Sequence, residues 1–248
     1  MTPLAEVCVE SIDDIVAAQQ GGAERVELCA SLLEGGLTPS IGTVNQAMAV
    51  SMVPVHAMVR PRGGDFVYSD NEFAIMLQDV AAFRQAGVDG VVFGALLADG
   101  TIDVVRTRAL LMVAGSLGTV FHRAFDMVAD AGAALETLIA CGVERVLTSG
   151  QKPLAIEGAE MLRKLKERAA GRIIVMGCGG LRPDNIADVR RRTGLHEYHF
   201  SAMQRQESPM VYRNPAIAMG GAGSEREYQR NVTSQALVRA TVDALRGA

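Results

Sequence analysis

The sequence predicts an α/β protein, a (β/α)8 TIM barrel with a closed parallel sheet. Three observations carry that expectation. A helix–turn–strand unit recurs, eight short apolar runs alternate with stretches of helical periodicity, and 248 residues hold eight such units. The recurring unit is read in GGAERVELC (21–29), AGVDGVVFG (86–94) and CGVERVLTSG (141–150). Each puts a glycine where a helix end needs a left-handed backbone, then an acid, then an apolar run rich in β-branched residues.

In order, the expected strands are residues 4–10, 25–29, 53–60, 90–94, 119–125, 145–149, 172–177 and 197–201. Their starts lie about 21 to 37 residues apart, the spacing of βα units in a parallel sheet. Ser11–Asp14 and Ser69–Glu72 have the spacing of capping boxes, and Pro39 suits a first helical turn, where its missing N–H is not needed. A doubly wound open sheet alternates in the same way, but it usually carries G-x-G-x-x-G after its first strand, where this chain reads VESIDD. The whole of 1–248 is expected to be a single domain. Within it, 208–248 is expected to form a Pro/Gly-rich loop and a last helix over about 225–246, packed on the barrel or at a subunit interface.

Composition sets the class. Apolar residues make up 49% of the chain, enough for a large core, and a formal charge of −4 gives no electrostatic reason to bind nucleic acid or an anionic membrane. No secretory signal and no run of 18 apolar residues is present, so a soluble, cytoplasmic protein is expected. Cys8, Cys29, Cys141 and Cys178 form no C-x-x-C pair and are expected to be thiols in a reducing compartment.

Barrel sites lie at the C-terminal ends of the strands, and inward positions alternate with helix-facing ones. Taking the valines as helix-facing leaves Glu6, Cys8 and Glu10 inward on the first strand, and Glu27 and Cys29 on the second. The third strand then sends His56, Met58, Arg60 and Arg62 inward. The fifth sends His122 and Asp126, and the eighth Glu197, His199 and Ser201. Arg123 takes the other parity, as a structural partner for the outer layer or a neighbouring acid. One account of this charge is an internal salt-bridge network of Glu6 and Glu27 with Arg60 and Arg62. Another is a site. Arg60 and Arg62 before the Gly63–Gly64 hinge suit a carboxylate or phosphate. The glycines 179 and 180 after the seventh strand suit a phosphate at a helix start. Cys8, Cys29 and Met58 offer soft donors that suit Cu(I).

EVCVES, ELCASLLEGGLTPS, VRPRGGDFVYSDNE, FHRAFD, RVLTSG and the glycine-rich run before DNI, read in this order from about residue 5 to 202, resemble the CutC family of copper homeostasis proteins. The resemblance implies a (β/α)8 barrel, a cytoplasmic location, self-association as a dimer or tetramer, and a role in copper handling. It also implies Cu(I) binding at Cys8 and Cys29. Cys178 departs from the family pattern, which is expected to carry glycine there, and adds a third thiol near the site.

Two functions follow. The first is copper homeostasis with Cu(I) as the bound ion, held by Cys8 and Cys29 with Met58. The second is a barrel enzyme for a small anionic substrate, phosphorylated or sugar-derived. There Arg60 and Arg62, with Gly179, Gly180 and Ser201, bind the anion, Glu6 or Glu27 acts as base, and His122 acts as acid or carbonyl polariser beside Asp126 and His199. Whether the chain is an enzyme is left open by the residues alone.

Overall fold

A computed structural model describes residues 2–217, 219 and 227–247. Eight parallel strands close into a barrel in sequence order: β1 (Leu4–Val9), β2 (Arg25–Leu28), β3 (Val55–Met58), β4 (Gly90–Phe93), β5 (Gly118–Phe121), β6 (Arg145–Thr148), β7 (Ile174–Gly177) and β8 (Glu197–Phe200). β8 pairs back to β1 through Leu4–Glu197 and Glu6–His199. The expected TIM barrel is what the chain forms.

The helices α1 (Ile12–Gly21), α2 (Ile41–Val50), α3 (Asp70–Ala86), α4 (Val104–Ala114), α5 (Ala131–Cys141), α6 (Ala159–Ala169) and α7 (Ile186–Thr193) follow the first seven strands. The recurring glycines end α1, α3 and α5 with left-handed backbones, at φ of +99° for Gly22, +84° for Gly87 and +87° for Gly142. Ser69 and Glu72 form a full capping box on α3, whereas α2 is capped by Ser40, one residue beyond the expected Pro39. Helix-facing residues such as Val7, Val26, Ala57, Val146 and Tyr198 are fully buried in the layer between sheet and helices. A smaller cluster fills the barrel itself: Cys29, Met58, Val92, Val120, Leu147, Met176 and Cys178.

Two departures reshape the mouth. β5 stops at Phe121, and Arg123–Met127 form a 3-10 turn where a strand through residue 125 was expected. His122 causes the stop: its Nδ1 accepts from the Ala124 N–H at 3.1 Å, and its carbonyl accepts from Phe125 N–H at 3.0 Å. Beyond β8, the strand β9 (Met203–Glu207) pairs antiparallel with β10 (Gln229–Thr233), a ribbon whose second strand stands where the first part of the last helix was expected. The last helix, α8 (Gln235–Arg246), begins about ten residues later than expected. Residues 218 and 220–226 of the expected loop, and the first two residues of the expected helix, lie outside the described residues. No helix among the described residues is long and apolar enough to cross a membrane.

Candidate functional site

A column of charge runs up the barrel axis, and strand register builds it. Parallel pairing sets Glu6 beside Arg25 on one neighbour and beside His199 on the other. The Arg25 guanidinium joins Glu6 to Glu197, the latter at 2.6 Å, and Arg145 approaches Glu197 at 3.0 Å. Glu6 accepts from His199 Nδ1 at 2.7 Å, and His199 Nε2 faces Glu27 Oε2 at 3.8 Å. Burial opposes the charge of Glu6, but Arg25 and His199 overcome it and hold the carboxyl well below its usual range. Burial also opposes the charge of His199, and the Glu27 and Glu6 carboxylates carry it well above the usual imidazole value. Glu27 is pushed up, chiefly by burial. The column therefore sets two buried carboxyl groups on either side of one imidazole, anchored below by a guanidinium.

The salt-bridge network foreseen between Glu6, Glu27 and the arginines of the third strand is corrected here: the cation is Arg25. Alternation could have found it, because Arg25 shares the parity of Glu27 and Cys29, and Arg145 recurs at the same place in the repeat.

Above the column, a cavity of about 290 Å³ opens at the strand C-terminal ends. Its walls include Cys8, Glu27, Met58, Arg60, His122 and His199 from the barrel, Leu32 and Leu33 from the loop after β2, and Met203 and Asn231 from the ribbon. Glu10 and Ser201 also line it, as does Arg123. Of the expected outer-layer role for Arg123, only its acid partner remains: it bonds Asp126 at 2.8 Å and Ser149 at 2.9 Å, because the turn after β5 breaks strand alternation.

His122 is buried, and burial with the nearby Arg60 charge brings it down to about 3. With Nδ1 accepting a backbone N–H, its one proton sits on Nε2. Gly94 makes room for the ring: a Cβ there would lie 2.6 Å from Cε1 and Nδ1. Arg60 is also buried and donates to the carbonyls of Glu34 at 2.6 Å, Gly36 at 3.2 Å and Gly64 at 3.0 Å, so it clamps two mouth loops. No carboxylate lies within ion-pair distance of it among the described residues.

Several expected site residues are not brought to this cavity. Arg62 spends its donors on Glu72, Asp65 and the carbonyls of Gly63, Asp65 and Val67. Asp126 accepts from Thr148 Oγ1 at 2.5 Å, from the N–H of Ser149 and Gln151, and from Arg123, which fixes the loop after β6. Gly179 and Gly180 pack on that loop. A Cβ on Gly179 would stand 3.0 Å from Ser149 Cβ, one on Gly180 would stand 2.5 Å from Leu154 Cδ2, and the Gly179 carbonyl accepts from Ala155 N–H. Glu6 lies beneath the cavity and does not line it.

Cys29 donates to Glu27 Oε2 at 3.4 Å, and Cys8 donates to the Phe200 carbonyl at 3.7 Å. Burial, then the Glu27 charge, pushes the Cys29 thiol far up, and burial pushes Cys178 up to about 12. Gly36, at φ +91°, lets the backbone pack closely on Cys29 and Met58: a Cβ there would stand 3.0 Å from Cys29 Sγ and 3.4 Å from the Met58 methyl. All four cysteines are free thiols.

The CutC family profile matches residues 3–204, nearly all of the barrel. The chain belongs to the CutC family. A CutC family protein of Mesorhizobium japonicum is 57% identical over 242 residues, covering 98% of this chain and 94% of its own length. The human copper homeostasis protein cutC homolog is 46% identical over 242 residues, covering 98% of this chain and 88% of its own length. The crystal structure of a CutC protein from Streptococcus agalactiae superposes with a TM-score of 0.77 at 33% identity, over 80% of this chain and 98% of that one. A phosphoribosylanthranilate isomerase from Pyrococcus furiosus, at TM-score 0.56 and 11% identity, shares the barrel alone.

Proposed function

We propose that this CutC family member works in copper homeostasis by binding Cu(I) as its cargo at the barrel mouth, through Cys8 and Cys29 with Met58 beside them. The observation that carries the reading is that the Cys29 thiol and the Met58 methyl meet directly beneath the Gly36 backbone, with Cys8 and Met58 both lining the cavity. Thiolate and thioether are the donors Cu(I) favours. Loading requires the thiol protons to leave, and Glu27, already bonded to Cys29, is the adjacent acceptor. The reading places the protein in the cytoplasm, where thiols stay reduced, and as a homo-oligomer, a dimer or tetramer. Exposed Met210, Val211 and Tyr212 beyond β9 support that self-association. Anaerobic Cu(I) titration against a competing chelator tests the binding. The Cys8→Ser, Cys29→Ser double variant should lose it, and unchanged affinity would refute the assignment.

A second reading, an enzyme for a small anionic substrate, is favoured by Arg60. A buried guanidinium that bonds three carbonyls and has no carboxylate within ion-pair distance among the described residues leaves a charge that a bound anion would compensate. A crystal structure grown from phosphate with no density beside Arg60 would count against it.

A further inference from the structure

Three side chains on the cavity wall each keep one buried polar atom without a partner among the described residues: Glu27 Oε1, Arg60 Nε and His122 Nε2. All three residues are more than nine-tenths buried. Buried polar atoms are nearly always bonded, to protein, water or ligand, so these three are the cavity-wall groups with hydrogen-bonding capacity left for a bound molecule. Their chemistry is specific. Arg60 Nε–H and His122 Nε2–H are donors, and Glu27 Oε1 is an acceptor. Both donor side chains neighbour one aromatic ring, the Arg60 guanidinium 5.1 Å and the His122 ring 5.0 Å from the centre of Phe66, and the Arg60 charge acts on His122.

We infer that the cavity binds a small hydroxy carboxylate, with its carboxylate oxygens on Arg60 Nε–H and His122 Nε2–H and its hydroxyl donating to Glu27 Oε1. The inference rests on the second reading above and names the ligand class of that site. A carboxylate supplies two acceptors and the missing negative charge, and a hydroxyl supplies the one donor. A cavity of about 290 Å³ is at the small end of ligand pockets, which suits a small molecule. Leu32, Leu33 and Phe66 give the carbon chain apolar walls.

Calorimetry on the full chain with D-glycerate, propionate and glycerol tests this. D-glycerate should bind, while propionate, lacking the hydroxyl, and glycerol, lacking the carboxylate, should each bind at least about tenfold more weakly. His122→Asn keeps an oxygen for the Ala124 N–H but cannot reach as far as Nε2, and it should lose about tenfold in D-glycerate affinity. A urea melt would show that this variant is folded. If propionate binds as tightly as D-glycerate, the anion reading stands and the hydroxy-acid inference falls. If neither carboxylate binds, both fall. If folded His122→Asn binds like the parent, the pose is overturned.

Discussion

Burial and the Arg60 charge bring the His122 imidazole down to about 3, against about 6.5 for an exposed histidine, so folding holds it neutral. The unfolded chain binds a proton at His122 below about pH 6.5 and the folded chain does not, so stability falls as the pH falls through that window. Each unit of pH costs about 1.4 kcal/mol for one such proton. From about pH 7.5, where both states are neutral, to about pH 5, the window spans about 1.5 units, so His122 costs the fold about 2 kcal/mol. His122→Gln keeps a side-chain oxygen for the turn after β5 and has no proton to gain. Urea unfolding of both proteins at the two pH values isolates the effect, because every other titrating group is common to both. The parent should lose about 2 kcal/mol more than the variant on acidification. Equal losses would refute a neutral, buried His122 and the tautomer deduced from its hydrogen bond.

Arg25→Met should destabilise the barrel by about 3–5 kcal/mol in urea, since it removes the cation that Glu6 and Glu197 share and leaves them His199 and Arg145, and adding Glu6→Gln should recover part of that loss. Gly94→Ala drives a Cβ to 2.6 Å from the His122 ring, and about 1–3 kcal/mol of overpacking should appear as a lowered midpoint. Asp126→Asn keeps the side-chain shape but removes the charge facing Arg123 and the two N–H groups of the loop after β6. Limited proteolysis should then cut near residues 150–155 faster than in the parent.

The parity argument carried most of the interior. Cys8, Glu27, Met58, His122 and His199 stand inward because a strand alternates by two whatever surrounds it. The same argument holds Arg25, whose parity matches Glu27, although its pairing with Glu6 depends on the β1–β2 register. Alternation stops being informative where a strand ends. The segment after His122 turns instead of extending, which brings Arg123 to the cavity and sends Asp126 to the loop after β6. Arg62 and the glycines 179 and 180 sit beyond strand ends too, where local hydrogen bonds, not alternation, decide direction.

By itself, then, the chain determined the barrel, its strand order and the family, because helix ends, β-branched runs and their spacing are local signals repeated along the sequence. Only the tertiary structure decided which charges meet. Register around a closed sheet joined Arg25, Glu6, His199 and Glu27 into one column, and loop packing left Glu27, Arg60 and His122 with unspent hydrogen-bonding atoms over a single cavity. Those contacts join residues as far as 193 positions apart, and no local pattern encodes a pairing at that distance.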